Sequence, residues 1–446
     1  MNLFERYRQL LRHVQPLGVS GRVSAVRGLT VSVGDFPSPI GAACRIASAR
    51  GELEGCVVGL ADQHTLVMPL GATSGIRRGD RVWLAGSNQT VALGPGMLGR
   101  VLDGRGRPID GRGPLKVTCR YPVWPEPMDP MQRRRIGRPL ATGLRAIDGM
   151  LTVGRGQRMG VLSGSGVGKS VLLGMISRHS SAEVAVIALI GERGREVRDF
   201  IDKELGPEGL KKSVVIVSTS DEPPPLRVQA GAVATAVAEY FRDRGCDVVL
   251  LVDSLTRLAT AQRQIGLAAG EPPATKGYTP SVFNLLPQLL ERTGRTEEGS
   301  VTAFYAVLAE ADDQAEPISD AVRAVTDGHI WLSRQLAQRG HYPAIDCLQS
   351  VSRVMIDVAE GEHLAAAAEI RRLMALYAEI EDMVTIGAYQ GGGSEYDLAV
   401  KAMPLIRAFL DQPIERREDF DDTVAALKEL CRRIARMRRG GAGATT

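Results

Sequence analysis

Five near-continuous apolar runs between about 150 and 355 limit what this chain can fold into: GQRMGVLSG, VAVIALIG, KSVVIVST, CDVVLLVDS and SVTAFYAVL. Runs of this length, bounded by turn residues, fit strands buried on both faces. Each is followed by a helical stretch, so the arrangement predicts a largely parallel sheet covered by helices on both sides. With 446 residues and domains of ~150 residues, the chain has room for more than this unit. Residues 20–95 read as short strands cut by Gly and Asp, as in GRVSAVRGLTVSVG and DRVWLAG. The following stretch, VALGPGMLGRVLDGRGRPIDGRG, is glycine-rich without a period and reads as a linker or loops. Beyond 356 only helical patterns remain, led by HLAAAAEIRRLMALYAEIEDMV. The division is therefore a terminal segment at 1–18, β structure at 19–95, the α/β unit at 96–355 and a helical domain at 356–446.

Composition excludes several classes. Lys plus Arg number 55 against 51 Asp plus Glu, a formal charge of +4, and aromatics are 4%. That balance argues against nucleic-acid binding. The six cysteines contain no CxxC pair and the six histidines form no cluster. A zinc site or disulfide scaffold is not expected, and a reducing compartment fits. The opening MNLFERYRQLLRHV is charged and lacks the apolar core of a signal peptide, and no apolar run reaches ~18 residues. Within it Leu3, Tyr7, Leu10, Leu11 and Val14 recur at helical spacing with Arg6, Arg8 and Arg12 between them. This is either a packed terminal helix or a docking helix for a partner. The basic run KELCRRIARMRR could touch acidic lipid or protein, or stay solvated.

The chemistry concentrates at 161–170, VLSGSGVGKS. A strand runs into Ser163, Gly164, Ser165, Gly166, Val167 and Gly168, then Lys169, Ser170 and Val171 open a helix. Glycines let backbone N–H groups turn inward around a phosphate chain, and the helix N-terminus adds partial positive charge. Lys169 would reach β and γ phosphates and Ser170 would ligate Mg²⁺. The strict G-x-x-x-x-G-K-[ST] pattern wants Gly at 163; the strand–loop–helix setting compensates for Ser163. Asp253 ends VVLLVDS, where an unpaired acid has no place in a core but can hold Mg²⁺ through water. Glu192 in IGERGREV ends another apolar run and is the choice for orienting the attacking water of ATP hydrolysis. An ion pair of Glu192 with Arg193 or Arg195 is the plain alternative. Arg193 would bring charge near the γ-phosphate or shape the pocket. Asp247, at the start of the Asp253 strand, reads as merely solvated.

Together with RPLATGLRAIDGMLTVGRGQRMGVLSGSGVGKS, IALIGERGREVRDF, VLLVDSLTRLATAQR, GYTPSVFNLLPQLLERTG and HYPAIDCLQSVSRVM, these elements resemble the catalytic subunits of rotary ATPases, most closely the flagellar type III export ATPases and their virulence-secretion relatives. The resemblance implies a RecA-like P-loop ATPase core with an N-terminal β-barrel domain and a C-terminal helical domain. It implies ATP and Mg²⁺ as ligands, Lys169, Glu192, Arg193 and Asp253 as catalytic positions, and Tyr342 near the adenine. Arg353 matches the arginine that reaches the nucleotide of an adjacent subunit, so a homohexamer is implied. Further implied partners are a stator or regulator protein at the N-terminus, and a central stalk protein, export chaperone–substrate complexes and the export gate near the C-terminal domain. The implied location is the cytoplasm, peripheral at the inner membrane. Hydrolysis is expected rather than synthesis. The competing readings are an injectisome ATPase, an RNA translocase and a non-enzymatic nucleotide scaffold.

Overall fold

The computed structural model describes residues 18–61, 63–86, 89–309, 316–391 and 395–442, with side chains up to Arg438. The amphipathic segment at 2–15 lies outside the described residues. Strands β1 (Ser20–Arg27), β2 (Thr30–Gly34), β3 (Ala43–Ser48), β4 (Gly51–Ala61), β5 (His64–Pro69) and β6 (Arg81–Gly86) close into a barrel in the order β1-β2-β5-β4-β3-β6. Their alternating apolar positions Val23, Val31, Val33, Ile46, Val57, Val67 and Val82 fill the interior. Closure leaves no free edge to template pairing with another chain. Gly21 permits the tight β1–β2 crossing, because a Cβ there would stand 2.4 Å from the Gly34 carbonyl oxygen.

The barrel's last strand ends at Gly86; β7 (Thr90–Leu93) pairs instead with β9 (Cys119–Pro122) and packs Val91 and Leu93 onto the central domain. The stretch expected to be loops also contains β8 (Arg100–Asp103), a parallel edge strand of the main sheet. That strand buries only Val101 and Leu102, too short an apolar signal to stand out among glycines. The main sheet adds β10 (Arg158–Ser163), β11 (Val184–Glu192), β12 (Ser213–Thr219), β13 (Asp247–Asp253), β14 (Gly294–Arg295), β15 (Ser300–Leu308), β16 (Gly328–Leu332) and β17 (Ile345–Ser352). The order is β17-β16-β10-β15-β13-β11-β12-β8, with β14 beside β15. All pairs are parallel except β17 with β16 and β14 with β15.

Among the helices, four matter for the central domain and its flank: α1 (Lys169–His179), α2 (Pro224–Arg242), α3 (Leu255–Ala269) and α4 (Gly361–Thr385). α2 is buried along nearly its whole length. Its small residues allow this: a Cβ at Gly231 would come within 2.6 Å of Leu258 on α3. Near its end Glu239 accepts two hydrogen bonds from Arg292, at 2.9 and 2.6 Å, both groups buried. Two further helices, α5 (Glu395–Leu410) and α6 (Phe420–Ala442), complete the helical domain with α4. Ile370, Leu373, Ile406, Phe409 and Leu427 from these helices share one apolar cluster with Leu144, Ile147 and Met150 of the central domain. The helical domain therefore rests on the core rather than hanging from a linker. Part of the basic run on α6 is neutralised internally: Arg432 and Arg436 pair with Glu429, and Arg438 with Glu369 and Glu395.

Candidate active site

In a parallel sheet, loops at the carboxyl ends of the strands form the natural crevice. β10, β13 and β11 all end there, and they deliver Lys169, Asp253 and Glu192 to one place. β10 leads into the glycine loop. Gly166 and Gly168 adopt φ of 78° and 90°, in the left-handed region. A side chain at Gly166 would meet nothing within 4 Å, so its surroundings are open. Gly168 begins α1 without any side-chain cap, which leaves the first-turn N–H groups directed into the loop. Val167 is buried and Val171 packs on the apolar cluster, anchoring the loop on both sides. Ser163 is fully buried with its hydroxyl unpartnered. Ser165 and Ser170 are exposed.

The Lys169 ammonium contacts the Asp253 carboxylate directly and stands 3.9 Å from Glu192 Oε1. Asp253 is 2% exposed and Glu192 9%. Glu192 is aimed by a register irregularity at the end of β11, between Ile190 and Glu192, the kind of bulge that redirects a side chain. Gly191 lies there with φ of 70°, and a Cβ on it would sit 2.9 Å from that of Arg257. The missing side chain lets Arg257 of α3 lie across the strand end. Arg257 Nη1 then pairs with Glu192 Oε2 at 2.7 Å and donates to the Gly191 carbonyl. Burial pushes the Glu192 carboxyl up from 4.5 to about 7; the Asp253 charge and a hydrogen bond with Glu196 add to this, and Lys169 and Arg257 oppose it.

The plain alternative for Glu192, an ion pair with Arg193 or Arg195, is not the pairing seen; its arginine partner is Arg257. Arg193 has a largely exposed side chain paired with Glu196 at 3.7 Å, and Glu196 in turn is hydrogen-bonded to Glu192. Nothing local in the sequence links Arg257 to Glu192, although Gly191 beside the acid is the visible trace of its approach. Asp247 also differs from the expectation of a solvated acid. It pairs with Arg155 and accepts from the Ser300 hydroxyl at 2.6 Å, tying the opposite ends of three strands together.

Tyr342 is brought to the loop: a Cβ at Gly168 would lie 3.7 Å from its ring. Arg353 is not. It follows β17, which runs antiparallel to its one neighbour β16, and its N–H donates to the Asp327 carbonyl at 3.0 Å. The Asp327 carboxylate in turn accepts from the N–H of Arg158, the first residue of β10. Arg353 thus sits at the amino edge of the sheet, separated from its own glycine loop by the length of β10, roughly 17 Å at ~3.3 Å per residue. It is exposed.

These residues fit a magnesium-bound nucleotide. The uncapped helix start and open positive-φ glycines suit a phosphate chain, and the Ser170 hydroxyl and Asp253 carboxylate are hard oxygen donors of the kind Mg²⁺ takes. Among the described residues no cluster of three or more His, Cys, Asp or Glu could hold a metal by itself.

Comparison with known proteins identifies the family of this fold. Residues 143–352 match the nucleotide-binding domain of the ATP synthase alpha/beta family, 23–83 its beta-barrel domain, and 359–429 the T3SS EscN ATPase C-terminal domain. The flagellum-specific ATP synthase of Treponema pallidum is 51% identical over 432 residues, covering 96% of this chain and 97% of that protein. The type 3 secretion system ATPase of Xanthomonas euvesicatoria is 47% identical over 410 residues, covering 91% and 93%. The solved structure of the assembled ATPase EscN from enteropathogenic E. coli superposes with a TM-score of 0.87 at 41% identity, covering 92% of this chain and all of that one. A glycine loop with Lys169, two acids at neighbouring strand ends, and likeness over nine-tenths of the chain lead to one conclusion: the protein belongs to the ATP synthase alpha/beta family, in the branch of P-loop ATPases formed by the flagellum-specific and type III secretion enzymes.

Proposed function

We propose that this chain hydrolyses ATP as a homohexamer to energise protein export for flagellar assembly. The observation that carries the proposal is the convergence of Lys169, Glu192 and Asp253 at one end of β10, β11 and β13. Lys169 holds the phosphate chain with the loop N–H groups of Gly164 to Ser170. Ser170, and Asp253 through water, would hold Mg²⁺, which when bound would supply positive charge to offset that of the phosphate oxygens. Glu192, half protonated near neutrality and steadied by Arg257, orients and polarises the attacking water. Tyr342 lines the base side of the pocket. Arg353 cannot serve its own loop from the far edge of the sheet, which supports service to a neighbour; a guanidinium there offers a planar fork for charge developing on the γ-phosphate.

The assembled EscN ATPase has also been solved in complex with its central stalk EscO. By analogy, the end of α4, where Met383 and Ile386 are 49% and 77% exposed, is the surface we assign to a stalk. No helix among the described residues is long and apolar enough to cross a membrane; peripheral association at the inner membrane is part of the proposal. An injectisome role is the second reading, favoured by the 47% identity to a type 3 secretion ATPase.

The test is phosphate release against protein concentration, with molecular size measured in parallel. Specific activity should rise as the hexamer forms. Turnover per chain that is constant across that range would remove the role given to Arg353. Loss of motility, rather than of effector secretion, on gene deletion separates the flagellar reading from the injectisome.

A further inference from the structure

Tyr342 is held in place from the helical domain. Its peptide N–H donates to Asp411 Oδ1 at 3.2 Å, and its carbonyl accepts from the Gln412 N–H at 2.8 Å. Both partners immediately follow α5. The same dipeptide grips the central domain on its other side. Gln412 Oε1 accepts from the Arg145 N–H at 2.8 Å, while its Nε2 donates to the carbonyls of Gly143 at 2.8 Å and Arg416 at 2.7 Å. Arg145 also donates through its guanidinium to the Asp411 carbonyl. Gln412 is 2% exposed, and its side-chain oxygen and nitrogen are both engaged, so its position is tightly fixed. Asp411 is exposed, and its bond to Tyr342 is the longer of the two.

We infer that Asp411 and Gln412 are positioning residues: they clamp the Tyr342 peptide groups so that its ring stands against the glycine loop, and they tie the placement of the helical domain to the base side of the nucleotide pocket. The inference rests on the reading of Tyr342 as a base-contacting residue. Apart from these bonds Tyr342 is 43% exposed, and its hydroxyl donates to the Ala337 carbonyl at 3.3 Å, in the short helix just before it. The two hydrogen bonds from its peptide groups to the helical domain therefore carry much of its orientation. A displacement of α5 relative to the sheet would move Asp411 and Gln412 and draw Tyr342 with them.

The experiment uses the full chain and three single variants: Asp411→Ala, Asp411→Asn and Tyr342→Ala. ATP turnover gives KM and kcat, and inhibition by inorganic tripolyphosphate, which has no base, reports the phosphate site alone. Asp411→Ala should raise KM for ATP about three- to tenfold, the range expected for one lost hydrogen bond. The effect should fall on KM more than kcat and spare tripolyphosphate. Asp411→Asn keeps an acceptor oxygen and should restore the parental KM. Adding Asp411→Ala to Tyr342→Ala should cost nothing further, since both act through one ring. Parental KM in Asp411→Ala, or an equal loss of tripolyphosphate binding, overturns the inference. An unchanged ATP KM in Tyr342→Ala overturns the base-contact reading beneath it, and the two failures are thereby distinct.

Discussion

Replacing Glu192 by Gln perturbs turnover and stability in opposite directions. The carboxyl is 9% exposed and raised from 4.5 to about 7. At ~1.36 kcal/mol per pH unit, the fold penalises the ionised form by roughly 3 kcal/mol, an upper figure because Lys169 and Arg257 readjust. The sign follows from linkage. Below pH 4.5 Glu192 is protonated whether folded or unfolded, and no penalty applies. Between 4.5 and about 7 the unfolded chain ionises while the folded one resists, so stability contributed by this site falls. Above about 7 the penalty is constant. Glutamine carries no charge at any pH. The variant should therefore match the parent at pH 4.5 and exceed it at pH 8, by up to about 3 kcal/mol. The assay is thermal unfolding of both proteins without nucleotide across pH 4.5–8, paired with ATP binding and single-turnover hydrolysis. Binding should persist while hydrolysis drops by about 10²–10⁴-fold, the usual worth of a positioned acid or base. A midpoint difference that does not vary with pH would refute the buried, acid-flanked placement of Glu192. Undiminished hydrolysis would refute its role.

Lys169→Ala should lose almost all turnover and phosphate-chain binding. It should also lower thermal stability, since Asp253, 2% exposed, is left as an unpaired buried charge; Lys169→Ala with Asp253→Asn should recover stability but not activity, which unfolding and turnover assays read separately. Arg353→Ala should be inactive yet bind ATP, and mixing it with inactive Lys169→Ala should restore partial turnover, because some interfaces would join an intact Lys169 to an intact Arg353. Activity that fails to appear on mixing, with mixed hexamers demonstrated, argues against service across the interface. For the parent, kcat/KM should fall about tenfold per pH unit below about 7 as Glu192 protonates in the free enzyme, and this limb should vanish in Glu192→Gln, as a pH series of initial rates would reveal. Gly231→Val should cost several kcal/mol, measurable in denaturant, since a Cβ there meets Leu258 at 2.6 Å.

The sequence by itself determined the elements whose signal is local. The strand, glycine loop and helix around Lys169 are contiguous, and their chemistry is written in consecutive residues. Glu192 and Asp253 were readable because a carboxylate ending an apolar run is anomalous unless it has work to do. The helical domain was readable from periodicity. What tertiary structure decided is everything that depends on which distant segments meet. β8 is a strand only because β12 offers it partners. Arg257 steadies Glu192 only because Gly191 lets α3 cross the end of β11. Asp247 finds Arg155 across the sheet. Tyr342 reaches the glycine loop under the hold of two residues about seventy positions later. Arg353 illustrates the division most plainly. Its residue type points to phosphate, but only the antiparallel course of β17 places it at the amino edge, too far from its own site to act there. Periodicity and turn chemistry act between neighbours in the chain, whereas packing couples residues with no such relation, and a single sequence carries few traces of the second.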